Sequence, residues 1–298
     1  MSDFVQQQNN ICDFNSSDSW VILSPIEQSI KHKIEAVGTP LKDWDIQINY
    51  GIKTGYNEAF IISSEKRNEI LANCKTEDER KRTAELIRPI LRGRDIKRYG
   101  YVDNGLYLIN THNGIRGRIP RIKIEDYPAV KAHLDQYWDK IVNRSDKGDT
   151  PYNLRNCAYL EDFSKPKVMW KIIGCNINFC FDEKQLFCNN AVDIMVGNRD
   201  NLIQFVGLMN SKLFDWYLKL TTEAEVQGGG IQLYVTTLEK TFFKLDFQQD
   251  FTNIVYQRIK NHVTDEVVDK AVFEAYRLTT EEQSFILQDR RVNRNREN

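Results

Sequence analysis

The stretch DIQINYGIKTGYNEAFII, residues 45–62, carries the strand and turn signals around which the rest of the chain is arranged. Ile46 and Ile48 alternate with polar neighbours, as in a half-buried strand, and a second apolar run begins at Ala59. Two glycines lie between the runs, and glycine permits the backbone angles and close approaches that turns require. The pattern predicts a β-hairpin with a long tip.

The tip of this predicted hairpin holds four side chains that suit contact with a nucleic acid. They are Lys53, Thr54, Tyr56 and Asn57. A lysine ammonium suits a phosphate, and an asparagine amide can pair with adenine through two hydrogen bonds. Most glycine-rich tips are only turns, so the structural and the DNA-contacting interpretations both stay open at this point.

The composition is that of an ordinary globular protein. Of 298 residues, 41% are hydrophobic and 28% are charged, which excludes a disordered chain. The length admits one large domain or two smaller ones. The 41 basic residues nearly cancel the 42 acidic ones, so the net charge gives no indication of a nucleic-acid partner.

Cysteine usage and hydropathy indicate the cytoplasm. The six cysteines include no CxxC pair, which favours reduced thiols in the core over a zinc site. We find no signal peptide and no apolar run of membrane-spanning length, so we expect no membrane partner.

Basic residues are concentrated between positions 80 and 123, whereas acidic residues gather around 265–282. One group, which we call the 92–98 cluster, consists of Arg92, Arg94, Lys97 and Arg98. Tyrosines follow it closely, and cations beside aromatic rings are typical of nucleic-acid surfaces. Two structural alternatives stay open: ion pairs along a solvated helix for the basic run that precedes the cluster, and arginines at a helix C-terminus for the cluster itself.

Periodicity predicts an α+β fold with a mixed or antiparallel sheet, amphipathic helices and a helical C-terminal segment. Helices are predicted from Ser24 to Gly38, from Ser64, from Thr76 through Leu91, and over 127–143, 202–220 and 251–287. Further strands are predicted at 106–110, 168–173, 177–181, 186–188, 192–196 and 231–235. A basic loop occupies 113–121, and three glycines at 228–230 predict a flexible loop or a close backbone approach.

No catalytic motif is present. We find no GxGxxG, Walker loop, HExxH, GxSxG or paired zinc-ligand spacing, and the four histidines are scattered. We therefore predict no catalytic, cofactor-binding or metal-binding residue. A rival interpretation is a nuclease or transferase with an unrecognised site that uses acidic residues such as Asp182 and Asp193.

Several ordered blocks carry a family resemblance over residues 20–287. The blocks are LKDWDIQINYGIKTGYNEAFII at 41–62, IRPILRGRDIKRYG at 87–100, FSKPKVMWKII at 163–173, GLMNSKLFDWYL at 207–218, GGG at 228–230 and VDKAVFEAYRLTTEE at 268–282. Together they resemble the C-terminal target recognition (specificity) domain of TaqI-like adenine-specific DNA methyltransferases and Type IIG restriction-modification enzymes. The segment LEKTFFKL at 238–245 departs from the proline-containing stretch usual in that family.

The resemblance implies a module that recognises double-stranded DNA and works with a methyltransferase domain, in the same parent chain or as a separate subunit. In that family the methyltransferase domain binds S-adenosylmethionine. The motifs of that domain are missing from this sequence, so the resemblance implies that the cofactor binds to the partner domain. Residues 1–19 would then be a lead-in or linker, 20–245 the recognition domain with one lobe or two, and 246–298 a helical segment with a charged tail.

By this analogy the DNA surface consists of Lys53, Thr54, Tyr56, Asn57, the 92–98 cluster, Lys165, Lys167, Lys171 and Lys212, with Asn210 and Ser211 as weaker candidates. The alternative for Asn210 and Ser211 is backbone bonding within a helix, and for the lysines between 165 and 171 it is a guarded strand edge. Two further interpretations stay open. They are a separately encoded specificity subunit and a protein-interaction domain without DNA contact.

Overall fold

The computed structural model describes residues 23–174, 178–221, 225–226, 230–244, 247 and 249–293. The predicted lead-in at 1–19, Gly228, Gly229 and the end of the charged tail lie outside the described residues. Within the described part the architecture is α+β with mostly antiparallel sheets, as predicted.

The helices and strands follow one another in short elements. The helices are α1 (Pro25–Val37), α2 (Asn57–Phe60), α3 (Ser64–Ala72), α4 (Glu77–Leu86), α5 (Pro128–Asp135), α6 (Trp138–Ile141), α7 (Arg199–Met209), α8 (Lys212–Thr221), α9 (Val235–Lys240), α10 (Gln249–Ile259), α11 (Asp265–Ala275), α12 (Thr280–Gln288) and α13 (Arg290–Asn293). The strands are β1 (Gly38–Pro40), β2 (Ile46–Tyr50), β3 (Ile61–Ser63), β4 (Ile87–Leu91), β5 (Ile96–Lys97), β6 (Gly100–Tyr101), β7 (Leu106–Ile109), β8 (Lys167–Lys171), β9 (Ile173–Gly174), β10 (Phe179–Asp182), β11 (Phe187–Cys188), β12 (Val192–Gly197), β13 (Glu225–Val226), β14 (Gly230–Gln232) and β15 (Phe242–Lys244).

The chain divides into two compact units. A terminal unit is drawn from the ranges Met1–Asp45, Gly174–Asn176 and Ile203–Asn298. A central unit is drawn from Ile46–Ile173 and Ile177–Leu202.

Two four-stranded sheets form the central unit. The first has the strand order β10-β8-β12-β2 and is antiparallel throughout. The second has the order β11-β4-β7-β3, in which β11 runs parallel to β4 and the other pairs are antiparallel. Apolar side chains of both sheets, among them Met169, Ile194, Ile90 and Leu108, belong to one buried core. This core holds the loops at the strand ends in place.

The predicted hairpin over 45–62 is wrong. The strand β2 pairs with β12, whereas β3 pairs with β7, so the two strands belong to different sheets. Distant backbone groups take the hydrogen bonds that a hairpin would have used: the N–H of Gly51 donates to the Val192 carbonyl (2.8 Å), and that of Ile52 donates to the Cys188 carbonyl (2.7 Å). The Thr54 hydroxyl then donates to Asn57 Oδ1 (2.6 Å), where α2 begins.

The helix predicted from Thr76 begins as expected but ends earlier. The Thr76 hydroxyl accepts the N–H of Glu79 at 3.1 Å, a cap on the first turn of α4. Residues 87–91, predicted to continue the helix, form β4 instead. Proline disfavours helical geometry in the residue before it, so Pro89 opposes a helical Arg88, and both residues pair with β7.

The helix predicted over 127–143 is two short helices, α5 and α6. Val130, Leu134 and Ile141 are fully buried, as their spacing predicts. The same helical spacing also predicts a core position for Trp138, but this side chain is 41% exposed, so that prediction is wrong. The interruption of the helix after residue 135 turns that side chain outward.

Local capping signals in the terminal unit are confirmed. The N–H of Ser24 donates to Glu27 Oε2 (2.8 Å) at the start of α1, and Gly38 ends this helix and begins β1, which pairs with β15. The helix predicted over 202–220 is interrupted between α7 and α8, where Ser211 Oγ accepts the N–H of Phe214 (3.3 Å). The predicted strand over 231–235 ends at Gln232, and the helical C-terminal segment is confirmed as α10 to α13.

Candidate nucleic-acid interface

A three-residue turn at 189–191, between β11 and β12, collects three distant segments of the central unit. The N–H of Asn189 donates to the carbonyl of Leu91 (3.0 Å), and the N–H of Asn190 donates to the carbonyl of Ile52 (3.1 Å). The carbonyl of Ala191 accepts the N–H of Ile172 at 3.1 Å. Each of these residues is next to a stretch that the sequence analysis separately assigned to DNA contact. We call the turn with segments 51–53, 91–94 and 171–172 the platform.

Two glycines allow these close approaches. A Cβ on Gly51 would lie 2.1 Å from the carbonyl oxygen of Asn189, a distance that no side chain tolerates. A Cβ on Gly93 would lie 3.2 Å from the carbonyl oxygen of Ala191. Glycine is therefore required at 51, and favoured at 93, because backbone must meet backbone there.

The platform carries four of the predicted cations. Lys53 and Lys171 are each next to a residue that bonds to the turn, and Arg92 and Arg94 flank Gly93. Lys171 lies close to the 92–94 backbone, since its Cβ is 3.5 Å from the position of a Cβ on Gly93. Cation-bearing segments from three parts of the sequence thus meet at one turn.

Within the 92–98 cluster, Arg92 has a structural partner. Its Nε and Nη2 atoms donate to the two carboxylate oxygens of Asp95, each at 3.0 Å. Burial alone would raise the pKa of Asp95, but the hydrogen bonds from Arg92 outweigh it and hold this pKa below its ordinary value. Arg92 therefore fixes the turn that presents its neighbours, and the cluster follows a strand, so the helix C-terminus alternative is wrong.

The other members of the cluster are more accessible. Arg94 and Lys97 are exposed and have no ion-pair partner among the residues that the structure describes. Arg98 is half-buried, with its guanidinium 5.8 Å from the ring centroid of Tyr99. Arg94 and Lys97 are the cations best placed to meet an external phosphate.

The four residues of the predicted hairpin tip divide into accessible and buried side chains. Lys53 lies over the ring of Tyr50, 5.6 Å from its centroid, and Asn57 is exposed. Thr54 is only 2% exposed and serves to bond Asn57, so its assignment to the DNA surface is wrong. The Tyr56 hydroxyl donates to Glu58 at 2.6 Å, which raises the pKa of this half-buried tyrosine.

The assignment of Lys167 to the DNA surface is also wrong. This side chain is fully buried, and its Nζ donates to Asp182 Oδ2 (2.5 Å) and to the Phe163 carbonyl (2.8 Å). Lys165 is exposed and pairs with Asp162 at 2.8 Å, so it keeps a surface position.

Lys212, Asn210 and Ser211 belong to the terminal unit. The Lys212 side chain is 14% exposed, and its Nζ lies 3.9 Å from Asp269 Oδ2. Asn210 and Ser211 are buried, and the Ser211 hydroxyl donates to the Leu208 carbonyl at 2.6 Å. The alternative of bonding to neighbouring backbone therefore describes Ser211, and none of the three offers an exposed contact surface.

The acidic pair of the rival interpretation is divided between two faces of one sheet. Asp182 lies opposite Lys167, whereas Asp193 lies opposite Trp170, and these positions on β8 have opposite orientations. Desolvation raises the pKa of Asp193 to about 6. No group of three or more metal-ligating side chains occurs in the described part of the chain.

A second basic feature is the loop at 113–121, which borders an open groove of about 890 Å³. Its tip is closed by pairing of Ile115 with Ile119, and Arg118 and Arg121 are paired with Glu161 and Asp149. Because β7 is antiparallel to β4, this loop follows the end of the strand pair opposite to Arg92. Two of its three arginines are thus neutralised, which makes it a weaker candidate than the platform.

Sequence reasoning missed the turn itself. Asn189 and Asn190 carry no charge and lie between two short strands, where an asparagine pair indicates only a turn. Their importance follows from the three distant segments bonded to them. Among the described residues, we also find no helix with both the length and the apolar character needed to cross a bilayer.

Comparison with known proteins gives one family match. The profile of the TaqI-like C-terminal specificity domain matches residues 88–241. No curated protein matches the sequence.

Two solved structures are similar in fold. The Type IIL restriction-modification enzyme MmeI in complex with DNA has a TM-score of 0.56 and 12% identity, with 84% of this chain and 36% of that chain covered. The Type IIG restriction endonuclease BpuSI has a TM-score of 0.50 and 12% identity, with 85% of this chain and 34% of that chain covered. The chain therefore spans about a third of the length of these proteins.

Proposed function

Because the chain belongs to the family of TaqI-like C-terminal specificity domains, we propose that it recognises a specific sequence in double-stranded DNA. We assign it to an adenine-specific methyltransferase or a fused Type IIG restriction-modification enzyme, acting in the cytoplasm. The methyltransferase domain, in the same parent chain or a separate subunit, would bind S-adenosylmethionine and transfer the methyl group.

The observation that carries this proposal is the platform. Its cations come from three stretches far apart in sequence, and backbone bonds to one turn hold them together. Lysine and arginine contacts to phosphates fix the register of a protein on a duplex and make its affinity depend on salt. Polar side chains between those cations are then placed to meet base edges.

A separate recognition module suits the chemistry of base methylation. The target base must leave the helical stack to reach a catalytic pocket, and unstacking costs a few kcal/mol. A second domain that grips the flanking duplex supplies binding free energy and sequence discrimination at the same time. The accessible cations Lys53, Arg94, Lys97, Arg98 and Lys171 are our proposed phosphate contacts, and Lys165, Tyr56 and Asn57 extend the surface.

The test is the salt dependence of DNA binding. Anisotropy of a labelled duplex of mixed sequence should show an affinity that falls steeply between low and moderate salt. The triple variant Arg94→Ala, Lys97→Ala, Lys171→Ala should make the negative slope of log K against log salt less steep by about 2.7, since each phosphate contact contributes about 0.9.

The matched control removes three exposed cations of the same unit that lie outside the platform: Arg80→Ala, Lys81→Ala and Lys140→Ala. This control should leave the slope close to that of the wild type. A wild-type protein without salt-dependent DNA binding would contradict the proposal. Cleavage or methyl transfer by the isolated chain, supplied with magnesium and labelled S-adenosylmethionine, would contradict its assignment as a recognition module.

A further inference from the structure

The two asparagines of the turn differ in what their amides do. Asn189 Oδ1 accepts the N–H of Ala191 at 3.4 Å, so this side chain closes the turn on itself. The Asn190 side chain is exposed and has no hydrogen-bond partner among the residues that the structure describes. Its donor and acceptor are therefore both available to an external group.

The backbone beneath Asn190 is held on both sides. Its own N–H donates to the carbonyl of Ile52, and the preceding N–H donates to the carbonyl of Leu91. Within the turn, the N–H of Val192 donates to the Asn189 carbonyl at 3.0 Å. Because this backbone is fixed before binding, only the side chain of Asn190 loses conformational entropy on contact, which favours selective contacts.

The surroundings of Asn190 match a base-reading position. Lys53, Arg94 and Lys171 belong to the segments bonded to the turn, so three cation-bearing segments meet at the backbone that carries Asn190. Cations that hold phosphates would set the distance between the turn and a groove. The asparagine amide matches the N6 donor and N7 acceptor that adenine presents in the major groove.

We propose that Asn190 is a specificity-determining residue that reads an adenine in the major groove, while Asn189 positions the turn. This inference rests on the proposed DNA-recognition function. It assigns one polar side chain to one base pair, and it separates that contact from the phosphate contacts of the surrounding cations.

The experiment selects preferred sequences from a randomised duplex library with the wild type and with variants at position 190. Asn190→Ala should lose the preference for adenine at one position, retain the others, and bind the preferred duplex about 5- to 150-fold more weakly. Asn190→Asp should shift the same position towards cytosine, because a carboxylate accepts from cytosine N4. Asn68→Ala, at an exposed asparagine on α3, is the matched control and should select the wild-type sequence.

The outcomes distinguish this inference from the function on which it rests. If the wild type selects a sequence and Asn190→Ala selects the same one with equal affinity, the assignment of Asn190 is overturned while DNA recognition stands. An equal loss of affinity for all sequences would also overturn it, because that pattern indicates a phosphate or structural contact. If the wild type binds no duplex, the proposed function fails, and the inference fails with it.

Discussion

Replacement of Gly51 by alanine should disrupt the platform, because no space exists for a methyl group. The new Cβ would lie 2.1 Å from the carbonyl oxygen of Asn189 and 2.6 Å from that of Cys188, both rigid backbone atoms. The two segments would have to move apart by about 1 Å, and overpacking of this kind costs about 1–3 kcal/mol. The movement also breaks the bonds between Ile52 and residues 188 and 190, each worth about 0.5–1.5 kcal/mol.

We therefore expect Gly51→Ala to lower the free energy of unfolding by about 2–6 kcal/mol. Gly100→Ala is the matched control, since a Cβ there meets no atom within 4 Å. Its stability should be unchanged or raised by up to about 1 kcal/mol. Urea titration gives the stability of both variants, and hydrogen exchange of the peptides around 52 and 190 localises the change.

Duplex affinity, measured by anisotropy, should fall for Gly51→Ala and stay unchanged for Gly100→Ala. A Gly51→Ala protein with the wild-type urea midpoint and wild-type exchange protection around 190 would refute the reasoning. It would mean that the contact between segment 51–53 and the turn does not hold the platform together.

Three further predictions concern the energetics of the fold. Lys167→Met leaves Asp182 buried without its cation and should destabilise the protein by about 3–5 kcal/mol in urea titration. Lys165→Met removes an exposed lysine from Asp162, which keeps its hydrogen bond from Asn49, and should cost less than about 1 kcal/mol; equal effects would contradict the assigned burial. Because burial raises the pKa of Asp193 to about 6 from 3.8, its charge destabilises the native state fully above pH 6, and this penalty disappears as the pH falls below 4. Asp193→Asn should thus gain up to about 3 kcal/mol at pH 7.5 and nothing below pH 4, and a gain independent of pH would be inconsistent with this cause. Thr76→Ala removes the cap of α4 and should cost about 1 kcal/mol in the same titration, so an unchanged midpoint would show that this bond contributes no stability.

The parts of the fold that depend on neighbouring residues were predictable from the sequence. The starts of α1 and α4 follow from side chains that cap a backbone three residues away. The buried strands β8, β10 and β12 follow from short apolar runs bounded by turn signals. The family likewise follows from ordered sequence blocks, and the profile match over 88–241 confirms it.

The errors concern interactions between distant residues. The pattern over 45–62 indicates two strands and a turn, but it does not identify the strands with which these two will pair. A hairpin between the two was the simplest prediction. In the same way, alternation along β8 cannot reveal that Lys167 meets Asp182 fifteen positions later inside the core. Charge alone therefore assigned a structural lysine to the surface.

The sequence by itself determined the fold class, the capped helices, the positions of the cation clusters and the family. Tertiary structure alone decided that these clusters meet at the turn 189–191, which of their side chains are accessible, and that Asn190 lies among them. The physical reason is that capping and periodicity act over three or four residues. The bonds to the turn join backbone groups that are up to about 140 positions apart, and only the packed core of two sheets brings those groups within hydrogen-bond distance.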